Sequence, residues 1–316
     1  MKYTEDHLGL GFECTVIEQP DDYEGKVITT LIRKKGNAST TKAVLYVHGF
    51  NDYFFQSEMA EQFNANEFNF YALDLRKYGR SLLPHQKMNT MRSLTEYYED
   101  LDAALTIIRQ EGNRQVLLSG HSTGGLLVTL YASERVDNQK FEAVFCNSPF
   151  YDFNMPNYQK RFLIPWVCQL GKYFPQLSIP GGISHWYGYS LHKAQKGEWE
   201  YNLTWKPHVV PNVNAGWINA IHEGHLKIKK GIHLTCPIIV MHSDKSSMDQ
   251  KWNDHFFEAD TVLDVKDIKK EAEKIVAPKR TIIEIKNGMH DLILSSFEVR
   301  KKVYTKLFDW LAVHLK

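Results

Sequence analysis

The sequence has 316 residues, of which 43% are hydrophobic and 24% are charged, a composition typical of a globular protein with a sizeable core. The formal net charge of +1 excludes the strong charge excess that would indicate nucleic acid or an acidic membrane surface as a partner. No apolar run approaches the length of a membrane-spanning helix, and the first residues lack the apolar stretch of a signal peptide.

Apolar runs in the first half of the chain predict strands that alternate with helices. The predicted strands cover residues near 12–18, 26–33, 42–50, 68–75, 115–122 and 141–149. Helices are predicted over 92–113, where Ser93 and Glu96 form a possible capping box, and over 124–135. This alternation of Val-, Ile- and Leu-rich strands with helices predicts an α/β fold with a mostly parallel sheet covered on both faces.

The C-terminal part of the chain resumes the same alternation. Residues 236–243 and 280–287 predict two further strands. A closing helix is predicted over 295–316, with Ser295 and Glu298 as a second capping box.

Residues 150–232 interrupt the alternation between these two parts. This stretch holds five of the seven tryptophans and several prolines and glycines. Because large aromatic side chains need to be buried, we expect an inserted cap that roofs an apolar pocket. The alternative is a long surface excursion. The α/β core would then consist of residues 1–149 and 233–316.

The four cysteines are far apart and show neither a CxxC motif nor a zinc-ligand spacing with histidine. We therefore expect buried free thiols in a reducing compartment, no bound metal, and a cytoplasmic location as the default. These residues are Cys14, Cys146, Cys168 and Cys236.

A GxSxG motif lies between the predicted strand 115–122 and the helix that follows it. In this context the motif predicts a nucleophilic Ser122 on a tight strand-to-helix turn, with glycines leaving room for the backbone. The Thr123 N–H would point at a developing oxyanion, aided by the helix N-terminus. A second donor is expected from the N–H of Phe50, in the loop after strand 42–50. The alternative is a pair of ordinary turns.

His290 is the candidate general base. It follows the last predicted strand, at the edge of an α/β sheet where catalytic groups gather, and it comes late in the chain, as the order Ser, acid, His requires. His222 and His225 in IHEGH do not form the zinc motif HExxH. We interpret them as solvated or capping residues of a helix. His121 is expected to pack against the turn that carries the serine.

With these motifs, the sequence resembles α/β-hydrolases of the serine aminopeptidase and monoacylglycerol lipase-like group, often described as lysophospholipase-like. The resemblance rests on HGF at 48–50, DLRKYGRS at 74–81, GHSTGG at 120–125 and GMHD at 288–291. DLRKYGRS departs from the usual pattern, because Lys77 stands where a glycine is common. Asp74 and Arg76 of the same motif are interpreted as structural.

Two aspartates compete for the role of the triad acid. Asp244 directly follows strand 236–243, whereas Asp260 precedes a predicted helix over 264–275. The resemblance favours Asp260, because related hydrolases place a short apolar pair after the acid and about one helix and one strand before the histidine. Residues 244–259 would then form an insertion folded onto the core by its aromatic residues, with the other aspartates as caps or turn residues.

The resemblance implies a serine hydrolase that cleaves carboxylic esters through an acyl-enzyme, without a cofactor. Monoacylglycerols, lysophospholipids or other small apolar esters are the expected substrates. The alternative is an aminopeptidase-like amide hydrolase, which would need an acidic cluster such as Glu198 and Glu200 to hold a free amine. A ligand-binding receptor on a hydrolase scaffold is the alternative from another class. No sequence feature specifies an oligomeric state.

Overall fold

The computed structural model describes residues 2–315 and shows a sheet with helices on both faces. The strands are β1 (Thr4–Glu5), β2 (Glu13–Asp22), β3 (Gly25–Lys34), β4 (Lys42–Val47), β5 (Phe68–Asp74), β6 (Gln115–His121), β7 (Ala143–Asn147), β8 (Ser178–Ile179), β9 (Val213–Asn214), β10 (Ile238–Ser243) and β11 (Arg280–Ile285). The α-helices are α1 (Ser57–Ala65), α2 (Glu96–Gln110), α3 (Thr123–Glu134), α4 (Ile164–Tyr173), α5 (His185–Leu191), α6 (Ala215–Lys230), α7 (Val265–Ala272) and α8 (Phe297–His314).

Nine strands form the main sheet in the order β1-β2-β3-β5-β4-β6-β7-β10-β11. All neighbours from β5 to β11 are parallel, and β1, β2 and β3 add an antiparallel edge. The predicted mostly parallel α/β sheet is therefore confirmed. Because β4, β6, β7, β10 and β11 run in the same direction, the loops that follow them meet at one edge, where such sheets bind ligands.

Each face of the sheet is covered by its own apolar core. On one face α1 and α8 pack through residues such as Phe63 and Leu307, which are at most 1% exposed. On the other face α2, α3 and α6 pack through residues such as Leu105, Leu127 and Ile221. Strand β6 lies between the two cores and is buried from Val116 to His121, which gives its C-terminal end a rigid support.

Residues 150–232 form α4, α5, α6 and the small antiparallel sheet of β8 and β9. Their aromatic residues divide into two groups. Trp217 is buried at 6% exposure, whereas Trp166 is 63% exposed and Tyr173 is 72% exposed. The expectation that the aromatic residues of this segment are buried is therefore right for only part of them. Burial of a tryptophan depends on which helix face meets the core, which composition alone does not specify.

The two predicted capping boxes have different outcomes. Glu96 Oε1 accepts the Ser93 N–H at 2.9 Å, which is the glutamate half of a capping box. The serine half is not formed, because Ser93 Oγ accepts the Thr95 N–H at 3.2 Å and not that of Glu96. The second box is wrong, because α8 begins after Ser296. The hydroxyl of Ser295 instead accepts the Met289 N–H at 2.9 Å. Across residues 2–315, no helix has the length and apolarity needed to cross a membrane.

Candidate active site

Ser122 lies on a strained turn between β6 and α3. Its φ of 51° and ψ of −115° are unusual for a residue with a side chain. The turn is tight, because a Cβ atom on Gly120 would lie 2.4 Å from the Gly124 carbonyl oxygen. One on Gly124 would lie 2.4 Å from the His48 carbonyl oxygen. Glycine is therefore required at both flanking positions of the GxSxG motif, and the turn lifts Ser122 above the sheet edge.

His290 connects Ser122 to Asp260. Its Nε2 lies 3.1 Å from Ser122 Oγ, and its Nδ1 lies 2.9 Å from Asp260 Oδ2. Both distances are ordinary for hydrogen bonds. All three residues are buried, with exposures of 8% for Ser122, 3% for His290 and 0% for Asp260. An Nδ1–H donated to the carboxylate leaves Nε2 as an acceptor for the serine hydroxyl, which is the tautomer a general base needs.

Asp260 reaches this position although its loop follows β10 only after a long insertion. Its backbone N–H donates to the Lys245 carbonyl at 3.0 Å, and its carbonyl accepts the Ser247 N–H at 2.9 Å. Asp260 Oδ1 accepts the N–H groups of Val262 and Leu263 at 2.9 and 2.7 Å. The chain therefore returns to the strand end, and the carboxylate is fixed with Oδ2 free to face His290.

Asp244, the competing candidate, is exposed, and within residues 2–315 its side chain makes no hydrogen bond with His290. Its Oδ1 accepts the Asn287 N–H at 2.8 Å, which links the loops after β10 and β11. Asp264 caps α7 by accepting the Lys266 N–H at 2.9 Å, as predicted for a cap residue. In the insertion 244–259, Phe256 is 1% exposed, as expected for an aromatic residue that holds the loop onto the core, whereas Phe257 is 36% exposed.

The two residues expected to supply the oxyanion donors line the same cavity as Ser122. Thr123 is the first residue of α3, so its N–H belongs to the unpaired first turn of a helix. Phe50 follows Gly49, where a Cβ atom would lie 3.1 Å from Ser122 Cβ. The loop that carries the Phe50 N–H therefore passes beside the serine.

His48 fixes the loop that carries Phe50. Its Nε2 accepts the Leu75 N–H at 3.1 Å, and its Nδ1 donates to the Gly49 carbonyl at 2.8 Å. Burial lowers the pKa of His48, which keeps the ring neutral and its Nε2 available as an acceptor. The histidine of the HGF motif therefore holds the loop that carries Phe50 in place through these two hydrogen bonds.

A cavity of about 300 Å³ opens beside Ser122, Thr123 and Phe50. Its walls come from loops of the core and from α4, α6 and the loops of the segment 150–232. The walls are aliphatic and aromatic, and no charged side chain of the described chain lines them. They include Phe150, Phe153, Leu163, Val167, Val213 and Trp217.

A comparison with protein families gives a match over most of the chain. The sequence model of the family described as serine aminopeptidase, S33, matches residues 38–296. The chain belongs to this family. No match is found among curated proteins.

Solved structures similar to this S33-family chain share its fold. A soluble variant of monoglyceride lipase from Saccharomyces cerevisiae, in complex with a substrate analog, is 17% identical with a TM-score of 0.70, covering 95% of this chain and 96% of that one. Monoacylglycerol lipase from Paleococcus ferrophilus is 18% identical with a TM-score of 0.67, covering 95% and 99%. Est1E from Butyrivibrio proteoclasticus with bound ferulic acid is 12% identical with a TM-score of 0.56, covering 99% of each chain. The fold is the α/β-hydrolase fold.

The S33-family chain carries a second buried polar cluster beside His290, which sequence reasoning missed. Ligand atoms of Asp52, His121 and Asp291 lie within 4.8 Å of one another. This donor set suits a metal ion, but Lys206 Nζ already pairs with Asp52 Oδ1 at 2.7 Å. Asn147 Nδ2 donates to Asp291 Oδ1 at 2.7 Å. The sequence features that could have indicated this cluster are two tripeptides that follow strands, MHD at 289–291, which contains Asp291, and NSP at 147–149, which contains Asn147.

Lys77, the residue in DLRKYGRS that departs from the family pattern, has a glycine-like backbone conformation and a buried, paired side chain. Its φ of 66° is the left-handed conformation that glycine adopts most easily. Its side chain is buried, with Nζ 2.6 Å from Asp22 Oδ2 and 2.8 Å from Glu24 Oε2. The ammonium group also lies 4.1 Å from the ring centre of Tyr23. Two ion pairs and a cation–π contact therefore accompany a lysine in a glycine-like backbone.

The neighbouring residues of that motif are structural, as expected. Arg76 Nη2 pairs with the buried Asp100 Oδ1 at 2.7 Å, and Arg80 Nη1 pairs with Asp74 Oδ2 at 2.8 Å. These ion pairs hold the loop after β5 in place.

The interpretation of His225 as a solvated or capping residue is wrong. His225 lies in α6 but is 0% exposed. Its Nε2 donates to the Phe150 carbonyl at 2.8 Å, and the rings of Phe150 and Phe153 contact its imidazole. The sequence pattern places His225 on a helix, but only the packing of α6 decides that it faces the core.

His225 is expected to make the protein less stable in mild acid. Burial lowers its pKa from 6.5 to about 3, so between these two pH values the unfolded chain binds up to one more proton than the folded chain at this site. The contribution of the neutral imidazole to the free energy of unfolding is therefore complete above the unfolded pKa of 6.5 and is lost as the pH falls below it. From about pH 7.5 to about pH 5.5, His225 should cost about 1.4 kcal/mol of unfolding free energy.

Urea unfolding of wild type and of His225→Gln at these two pH values tests this expectation. The variant should lose about 1.4 kcal/mol less than wild type on acidification. His85→Gln, at an exposed position, is the control and should follow wild type. An equal loss in wild type and His225→Gln would contradict the assignment of a neutral buried imidazole.

Proposed function

We propose that this chain is a serine hydrolase that cleaves carboxylic esters with an apolar acyl group. The observation that carries the proposal is the uncharged cavity that opens directly onto Ser122, whose hydroxyl is hydrogen-bonded to His290. An apolar acyl chain would lie in this cavity with its carbonyl carbon at Ser122 Oγ. Residues 150–232 would act as the cap that closes it.

The proposed reaction is acyl transfer to water through an acyl-enzyme. Ser122 Oγ attacks the ester carbonyl while His290 Nε2 takes the serine proton, and His290 then gives this proton to the departing alcohol. Water attacks the acyl-enzyme with the same histidine as base, which releases the acid and restores Ser122. Asp260 holds the imidazole in the required tautomer and stabilises the imidazolium. The N–H groups of Phe50 and Thr123 would bind the oxyanion of both tetrahedral intermediates.

The solved neighbours support the ester class. Two are described as monoglyceride or monoacylglycerol lipases, and one of these binds a substrate analog. Small apolar esters of the monoacylglycerol or lysophospholipid type are therefore the proposed substrates.

The aminopeptidase-like alternative would need an acidic group to hold a free amine, and none lines the cavity within residues 2–315. Glu198 pairs with Arg300 at 2.5 Å, and Glu200 pairs with Lys193, so both proposed carboxylates already have cationic partners. Neither residue lines the cavity. An amine would have to enter an uncharged, apolar space, which is unfavourable. This observation favours esters over aminoacyl amides.

Covalent labelling and turnover together test the proposed function. Wild type should react with a fluorophosphonate at Ser122 and turn over p-nitrophenyl esters many times, while aminoacyl p-nitroanilides react far more slowly. Labelling without multiple turnovers would favour the ligand-binding receptor. Exclusive cleavage of the aminoacyl compounds would contradict the esterase assignment.

Acyl-chain length should raise kcat/KM until the cavity is full. Each added methylene that enters it contributes about 0.8 kcal/mol, which corresponds to about a fourfold gain in kcat/KM. A series of p-nitrophenyl esters from acetate upward measures this. Val167→Trp, on the cavity wall, should remove most of the gain and leave acetate hydrolysis largely intact.

Val313→Trp is the matched control, because Val313 is 57% exposed on α8. Its chain-length dependence should equal that of wild type. A flat series in wild type, or the same series in Val167→Trp, would show that the acyl chain does not occupy this cavity.

A further inference from the structure

Asn147 ends β7, between the strand that leads to Ser122 and the loop that carries His290. Its backbone carbonyl accepts the Ser122 N–H at 3.0 Å and lies 3.2 Å from His121 Nδ1. Its side chain turns to the other loop. There Nδ2 donates to Asp291 Oδ1 at 2.7 Å, and Oδ1 accepts the Leu292 N–H at 3.2 Å. Asn147 therefore hydrogen-bonds both to the turn that carries Ser122 and to the loop that carries His290.

We infer that Asn147 is a positioning residue that sets the separation between Ser122 Oγ and His290 Nε2. The inference rests on the proposed function, because it concerns the same serine and histidine. Asn147 is 2% exposed and does not line the cavity, so it has no contact through which to bind an acyl chain. Its effect is transmitted through the two segments it joins.

Asp291 makes this contact costly to lose. The carboxylate is 0% exposed, and its Oδ2 has no hydrogen-bond partner within residues 2–315, with His121 Nε2 4.0 Å away. Its Oδ1 accepts the Asn147 amide and, at 3.3 Å, the Ile293 N–H. Without the amide, a buried carboxylate would keep only the longer of these bonds, and the loop would shift to find another donor.

A small shift of this loop is enough to impair the reaction. The loop carries His290 directly before Asp291, so movement of the carboxylate moves the imidazole. A displacement of about 1 Å between reacting groups can cost about a hundredfold in rate. Substrate binding in the cavity should be unaffected, so the loss should fall on kcat and leave KM nearly unchanged.

Two kinds of variant test the inference. Asn147→Leu removes both side-chain hydrogen bonds at similar volume. Asn147→Asp places two carboxylates against each other, whereas the exchange Asn147→Asp with Asp291→Asn restores one amide–carboxylate hydrogen bond in the opposite direction. Asn113→Leu is the control, because Asn113 is also 2% exposed and its side chain donates to the Ile108 carbonyl at 2.8 Å. Asn113 lies before β6, at the end of the strand away from Ser122.

The readouts are the second-order rate of fluorophosphonate labelling, kcat and KM for a p-nitrophenyl ester, and the melting temperature. Asn147→Leu should lower the labelling rate and kcat by about tenfold to a hundredfold, with KM within about twofold of wild type. Asn113→Leu should lower the melting temperature and leave the labelling rate and kcat of the folded protein unchanged. The exchange variant should recover at least about tenfold over Asn147→Asp alone.

Folded Asn147→Leu that labels like wild type would overturn the inference, as would an exchange variant no faster than Asn147→Asp. If Asn147→Leu does not fold, the comparison of Asn147→Asp with the exchange variant decides. Labelling reports on the serine and histidine without an ester. A wild type that labels but hydrolyses no ester would therefore overturn the proposed substrate class and leave the Asn147 comparison valid.

Discussion

Ser122→Ala is expected to lower kcat for ester hydrolysis by about a millionfold while the protein stays folded. The serine hydroxyl is the atom that would form the acyl-enzyme, and His290 Nε2 lies 3.1 Å from it, ready to take its proton. With alanine there is no nucleophile, so only oxyanion stabilisation of direct water attack remains. The measurement is the steady-state rate with a p-nitrophenyl ester, together with loss of fluorophosphonate labelling.

Ser119→Ala is the matched control for this prediction. Ser119 lies in β6, the strand that leads to Ser122, and is 1% exposed, but its hydroxyl has no hydrogen-bond partner in the described chain. Its replacement should leave kcat and labelling unchanged. If Ser122→Ala kept more than a small fraction of the wild-type rate, a different nucleophile would have to be sought.

Asp260→Asn should lower kcat by about 10⁴-fold, because an amide facing His290 Nδ1 favours the wrong imidazole tautomer. The carboxylate is buried and lies 2.9 Å from that nitrogen. KM should change little, since Asp260 does not line the cavity. Steady-state kinetics of Asp260→Asn and of the control Asp244→Asn, with circular dichroism to confirm folding, measure the effect.

Asp244→Asn is the control and should keep its kcat within about threefold of wild type, because an exposed side-chain hydrogen bond contributes only modestly. An asparagine oxygen can still accept the Asn287 N–H that Asp244 accepts now. A severe loss in Asp244→Asn with little loss in Asp260→Asn would reverse the assignment of the acid.

The sequence predicted the parts of the site that depend on local pattern. Ser122 and His290 each follow an apolar strand, so their place at the sheet edge follows from the parallel topology. Asp260 required more, because the insertion 244–259 separates it from β10. Its choice over Asp244 came from resemblance to related hydrolases. The structure supplies the physical reason, which is the backbone pairing of Asp260 with Lys245 and Ser247.

Contacts between distant segments could not be predicted in this way. Asn147 and Asp291 are 144 residues apart, and nothing in either local sequence specifies that they meet. Ser295 has the spacing of a helix cap, yet its hydroxyl accepts the Met289 N–H. His225 has a pattern that fits either a solvated or a buried helix face. In each case tertiary packing selects between partners that are locally equivalent.

The most direct test of the central claim is mass mapping of wild type after reaction with an octyl p-nitrophenyl phosphonate, which mimics the tetrahedral intermediate of an apolar ester. The account predicts a single adduct on Ser122, formed faster than with the ethyl analogue because the longer chain fills the apolar cavity. An adduct on another residue, or no adduct from an enzyme that turns over octanoate esters, would contradict it.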